Sequence, residues 1–288
     1  MAVPWTSVSN RVIRAEPLTP QAFKEFGDVI QNPATHDGQP SWLQQTEANQ
    51  GSAIKWMDVT KMRNWYELSS SRKPARVSMN MFVCKPRRLE EKDNGKRLFL
   101  VKILERHPFT PQTFVPIGLG KGERKTSYLV IVAPTLPLRS RKEQEDRKMD
   151  PAYPVPPRRK KRSLREILLG ARPNPFTNDF STSTTLSNQN SAVLDEPRPK
   201  GPGLPDLENI KAFVARGDQA ITYGAGTWHA PMVVLGDQTI EFVVVQYANG
   251  VLIEDCQEIV IGEHVCREGL AVDLTGTPST ADMVCAKL

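Results

Sequence analysis

The sequence predicts an all-β domain, a sandwich or barrel, built in two halves with a long insertion between them. Three observations carry that reading. Apolar runs of strand length recur at roughly ten-residue spacing, a pattern of short strands and not of helices. Glycine and proline punctuate them: Pro108, Pro111, Pro116, Gly118, Gly120 and Gly122 in the first half, then Gly217, Gly224-Ala225-Gly226 and Gly236-Asp237 in the second. Composition then changes abruptly over 139–205, where apolar residues are too few to offset the entropy of an ordered chain.

Taken in chain order, Thr19-Pro20 followed by Phe23, Phe26 and Gly27 predicts a short helix with a threonine cap, a proline first turn and a glycine stop. Its two phenylalanines dock it on something larger. Strands are predicted at 98–107 (LFLVKILERH) and 128–133 (YLVIVA), completing a first half at 1–138. The insertion, 139–205, reads RSRKEQEDRKMD, then PAYPVPPRRKKR, then a Ser/Thr/Asn tract ending in PRPKGPGLP, and is expected to be mostly disordered. One island inside it, Ser163-Leu164-Arg165-Glu166 up to Gly170, has the form of a capped helical turn. The second half, 206–270, holds predicted strands at 210–215, 219–223, 231–235 and 238–248, with 271–288 as a C-terminal tail.

The chain has 288 residues, enough to bury a core without disulfides, and a net charge of +6. That charge is not spread evenly. Between Arg139 and Arg172 stand twelve Lys or Arg against five Asp or Glu, so the excess belongs to the insertion and the β halves are close to neutral. PPRRKKR (156–162) has no interleaved aromatics, so it reads as a solvated basic loop and nucleic acid is not expected as a partner. Cys84, Cys256, Cys266 and Cys285 form no CxxC pair and no metal spacing, which fits reduced thiols inside a cell. Met1 to Glu16 lacks the apolar core of a secretory signal, and no apolar run approaches the ~18 residues of a membrane span. The last residues, Ala286-Lys287-Leu288, resemble a peroxisomal address, so the expected location is cytoplasmic or peroxisomal.

Chemistry concentrates in two places. Alternation along 98–107 puts Val101, Ile103, Glu105 and His107 on one face. Two inward ionisable groups on an apolar strand are costly without a task, and a carboxylate with an imidazole is half of an acid/base or metal site. Gln112 follows five residues on. In the second half, the turn Gly224-Ala225-Gly226-Thr227-Trp228-His229 delivers one imidazole, with Trp228 as a wall of the pocket. His36, among Pro33, Asp37 and Gly38, reads as a loop residue, and His264, beside Glu263, as a surface one.

These two places resemble the paired motifs of cupin barrels, an H-x-H with a later acid and glycine, and a G-x-x-H. Glu105-x-His107 stands for the H-x-H, Gln112 for the acid, Gly118 for the glycine and Gly226-x-x-His229 for the second motif. At greater length, LTPQAFKEFGDVI (18–30), LERHPFTPQTFVPIG (104–118) and IKAFVARGDQAITYGAGTWHAPMVV (210–234) resemble the ureidoglycolate lyase family of allantoin catabolism. The resemblance implies a double-stranded β-helix (cupin-like) barrel, a homodimer, and cleavage of (S)-ureidoglycolate, a small-molecule substrate, to glyoxylate and urea. Glu105, His107 and His229 are then the expected catalytic residues, and Asn80, Gln112, Trp228 and Gln246 the expected substrate-binding ones. Arg106 is a candidate for the cation that the substrate carboxylate needs, since Lys102 points to the opposite face by parity. Bacterial relatives often carry histidines where Gly224 and Ala230 stand, so this chain has fewer imidazoles for a metal. A divalent ion, Ni or Zn, would rest on Glu105, His107, Gln112 and His229 and is not required by the sequence. A metal-dependent cupin of another class, a dioxygenase or isomerase, is the alternative.

Overall fold

Among the described residues, eleven strands curl into one sheet and five more close over part of it. The computed structural model describes residues 5–7, 11–35, 43–92, 94–117, 126–137, 199–262 and 269–275. The capped turn expected at 163–170, His36, Gly118, His264 and the terminal Ala286-Lys287-Leu288 lie outside these residues.

The first half supplies β1 (Trp5–Ser7), β2 (Arg11–Pro17), α1 (Pro20–Phe23), β3 (Gly27–Ile30), β4 (Gln44–Ala48) and β5 (Ala53–Met57), followed by β6 (Arg76–Cys84), β7 (Glu90–Glu91), β8 (Arg97–Val101), β9 (Ile103–Arg106), β10 (Gln112–Ile117) and β11 (Ser127–Ala133). The second half supplies β12 (Lys211–Arg216), β13 (Ala220–Tyr223), β14 (Trp228–His229), β15 (Val233–Leu235), β16 (Ile240–Ala248), α2 (Leu252–Asp255), β17 (Gln257–Gly262) and β18 (Leu270–Asp273). The predicted N-terminal helix is present. Thr19 Oγ1 accepts from the Ala22 N–H at 3.2 Å, and Phe23 and Phe26 are fully buried.

The large sheet runs β1-β17-β9-β14-β11-β12-β2-β18-β8-β7, with β15 also on β11. β8 and β9 lie far apart in that order, yet Lys102 alone separates them in the chain. The sheet must therefore curl until its two ends meet, which makes the fold an all-β, cupin-like barrel. The single strand expected over 98–107 breaks at this residue, which is exposed and lets the chain pass from one edge of the curl to the other. The smaller sheet, β3-β13-β10-β16-β6, packs against the large one. β4 and β5 pair separately as a hairpin.

Two cores result, and β11 separates them. Leu129, Ile131 and Ala133 face the inside of the curl with Leu104, Trp228, Ile259 and Val272. Tyr128, Val130 and Val132 face the smaller sheet with Phe114, Phe213, Tyr223 and Phe242. A strand buried on both sides needs apolar residues at every position, which is why YLVIVA shows no alternation. β18 pairs with both β2 and β8, so residues 271–273, expected in the tail, are part of the barrel.

Candidate active site

Sheet register brings the two sequence motifs together. β14 is antiparallel to β9, with His229 opposite Glu105, so a residue of the second half meets one of the first across a single ladder. The glycine-rich turn is anchored to the same place. Gly226, at φ +79, places its N–H on the His107 carbonyl at 2.8 Å, a left-handed conformation that favours glycine. One ligand atom from each of Glu105, His107 and His229 lies within 4.8 Å of the others.

Both imidazoles are oriented from behind. His107 Nδ1 lies 2.6 Å from the Asp255 carbonyl oxygen, and His229 Nδ1 lies 3.0 Å from that of Thr227. A carbonyl only accepts, so each Nδ1 carries the proton and each Nε2 turns its lone pair toward the cluster. Both Nε2 atoms are buried without a hydrogen-bond partner among the described residues, and so is Gln112 Oε1. Glu105 Oε1 approaches His229 Nε2 at 3.5 Å, an ion-pair distance and too long for a good hydrogen bond. Tyr223 stacks on the His229 ring at 3.9 Å and 10°, fixing its plane.

The electrostatics separate the groups. Burial would raise the Glu105 carboxyl, but the contact with His229, and then the proximity of the two imidazoles, hold it below the ordinary range. Burial, and then the charge on His229, push His107 down to about 4, so its ring is neutral at physiological pH. Burial, and then Glu105, push the Cys256 thiol up to about 12. Two lone pairs and a carboxylate converging on one point favour a cation there, whether a proton or a metal ion. The set Glu105, His107 and His229 fits a divalent ion, with one oxygen and two nitrogen donors.

The structure distributes the other expected residues differently. Gln112 pairs in register with Tyr223, the residue stacked on His229, and its Nε2 donates to Gln246 Oε1 at 2.7 Å. These two amides therefore line the same interior as the cluster. Asn80 is exposed on the edge strand β6, bonded to Ser78. Trp228, expected as a pocket wall, alternates with His229 and is turned away into the other core. Its Nε1 donates to the Gly203 carbonyl. Arg106, considered as a cation for substrate, alternates with Glu105 and His107. It is 1% exposed, with its guanidinium on Gln257 Oε1, Gly201 O and Gly203 O. It is held inside the protein and does not reach the cluster. Sequence reasoning missed Tyr223 and Asp255. Tyr223 directly precedes the glycine turn and could be found by parity, whereas Asp255 acts through its main chain and leaves no residue-type signal.

The sequence pattern of the ureidoglycolate lyase family matches residues 10–268. The chain belongs to the ureidoglycolate lyase family. It is similar to the ureidoglycolate lyase of Schizosaccharomyces pombe, 29% identical over 85% of this chain and 89% of that protein. It is also similar to that of Saccharomyces cerevisiae, 31% identical over 82% of this chain and 85% of that protein. A bacterial ureidoglycolate lyase from Burkholderia mallei is 24% identical over 82% of each chain.

Proposed function

We propose that the protein cleaves (S)-ureidoglycolate to glyoxylate and urea, a step of purine (allantoin) breakdown, by acid/base elimination at Glu105, His107 and His229. The observation that carries this reading is the convergence of two imidazole Nε2 atoms, both buried without a hydrogen-bond partner among the described residues, on the half-buried carboxylate of Glu105. The substrate carbon bears a hydroxyl, a carboxylate and the ureido nitrogen. Cleavage moves the hydroxyl proton to a base as the C=O forms, and the C–N electrons leave on urea, which takes a proton from an acid. His107, kept neutral by burial and by its neighbour's charge, offers its Nε2 lone pair to the hydroxyl proton. His229, whose Nε2 lies 3.5 Å from the Glu105 carboxylate, takes up a proton at Nε2 and passes it to the leaving nitrogen. Gln112 Oε1, without a partner, accepts from a ureido N–H. A divalent ion on Glu105, His107 and His229 would supply Lewis-acid stabilisation of the developing oxyanion.

The reading also includes a homodimer. β6 is the edge of the smaller sheet, and Val77, Met79, Met81 and Val83 line one face of it with exposures between 58% and 69%. An antiparallel pairing of two β6 strands about Asn80 would set Val77 against Val83 and Met79 against Met81 of the second copy, covering an edge that otherwise invites association. No helix among the described residues is long and apolar enough to cross a membrane.

The test is incubation of purified protein with (S)-ureidoglycolate, following glyoxylate and urea, with and without chelator. Equimolar glyoxylate and urea are expected from the wild type and none above background from His107→Ala. Unchanged release by His107→Ala would refute the site.

A further inference from the structure

Resting on the lyase reading, we infer that Gly203, at the C-terminal end of the insertion, positions the catalytic side chains by binding the backs of both strands that carry them. Arg106 sits between Glu105 and His107, and Trp228 immediately precedes His229. Their side chains leave the catalytic face and converge on one acceptor. Gly203 O receives Arg106 Nη1 at 2.9 Å and Trp228 Nε1 at 3.1 Å, and the guanidinium lies 4.3 Å from the centre of the indole. A single carbonyl thus ties β9 to β14 behind the point where Glu105 faces His229.

That carbonyl is itself fixed. Leu136 N donates to Leu204 O at 2.8 Å, Asp206 N to Pro134 O at 2.7 Å, and Lys200 N to Ala225 O at 3.2 Å. The chain leaving β11 and the C-terminal end of the insertion are therefore stitched to each other, and the latter to the glycine turn that delivers His229. A Cβ at Gly203 would lie 1.9 Å from the Leu136 carbonyl oxygen and 2.9 Å from Thr135 Cγ2, so only glycine lets this strap lie so close. Gln257, from β17 on the other side of β9, completes the grip by accepting from Arg106 Nε at 2.9 Å. The insertion is remote from the chemistry in sequence, yet its C-terminal end is a direct support of the site. Arg106, Trp228 and Gly203 are positioning residues, acting through their neighbours.

Two variants separate positioning from simple folding. Trp228→Phe keeps an aromatic ring under the guanidinium and removes the N–H. Arg106→Lys keeps the charge and removes the planar fork. Each is expected to lower kcat by about tenfold to a hundredfold, as for small misplacements of reacting groups, with KM within about twofold. The pH–rate profile should shift at the same time, because the spacing of Glu105 and His107 enters the proton affinity of each. A readout independent of turnover uses the four histidines of the chain. Imidazole ¹⁵N resonances of the full-length wild type and both variants are recorded without substrate. The His107 and His229 signals should move in both variants, and the other two should not. Unmoved signals with unchanged kcat would overturn the proposal, even where wild type turns over normally. Moved signals in a protein that releases no glyoxylate would uphold the positioning role and reject the lyase reading.

Discussion

β9 and β14 present two faces built from alternate residues, and the two are finished in opposite ways. On one face Arg106 and Trp228 are buried with their polar atoms on Gln257, Gly201 and Gly203. On the other, Glu105, His107 and His229 are nearly as buried, and the two Nε2 atoms have no partner. Burial is common to both, so burial does not mark the site. What marks it is unspent hydrogen-bonding capacity, since a buried polar atom left open is costly and persists only where a ligand, proton or ion completes it.

The largest expected difference between the faces is in what a substitution removes. Glu105→Gln preserves shape and removes the charge, and turnover is expected to fall about 10³-fold, within the range of acid/base and electrostatic catalysis, with unfolding free energy changed by no more than about 1 kcal/mol. Arg106→Met should do the reverse where stability is concerned. It strips donors from Gln257 and two buried carbonyls, and a loss of about 3 kcal/mol in urea denaturation is expected. A Glu105→Gln variant that unfolds as easily as Arg106→Met would erase the distinction.

A second difference appears on acidification. His107 titrates at about 4 in the folded protein and near its ordinary value of 6.5 when unfolded. Between these values the unfolded chain binds more protons, so lowering the pH favours unfolding. The contribution is complete above about pH 6.5 and lost as the pH falls through 4, reaching about 3 kcal/mol. Glu105, also held low, adds to the loss in more acidic solution, with the same sign. Denaturation midpoints measured from pH 7 to 4 should therefore fall less steeply for His107→Ala than for wild type. Parallel slopes would show that His107 is not held neutral.

Much of this was legible in the sequence, and the gaps have physical causes. YLVIVA and the strands of the second half read correctly because their neighbours bury them in the way their apolar residues demand. Glu105, His107 and His229 stand out in the sequence as ionisable groups in apolar strands, and the fold brings one ligand atom of each within 4.8 Å of the others. β6 escaped notice because RVSMNMFVC alternates without burying either face well, so its pattern carries no core signal. Arg106 and Trp228 were assigned to the wrong side because residue type suggests what a side chain can bind, whereas only register says which face it is on. The strap at 199–206 was hidden by its composition: glycine and proline read as loose, yet here they permit a close fit.

Gln112 belongs to both kinds of face, and so gives the finest test of the difference. Its Nε2 is committed to Gln246, while its Oε1 is buried and open. Gln112→Met fills the same space without the open acceptor, leaving Gln246 Oε1 to find water. One hydrogen bond to a neutral ureido N–H is worth about 1 kcal/mol net, so KM for (S)-ureidoglycolate should rise about fivefold. The proton transfers use other atoms, and kcat should stay within about threefold of wild type. Stability should barely change, because the variant removes one satisfied atom and one unsatisfied atom together. A fall in kcat as deep as that of Glu105→Gln would instead place Gln112 among the groups that move protons or hold an ion. A loss of stability with KM unchanged would place it with Arg106 and Trp228, among the supports.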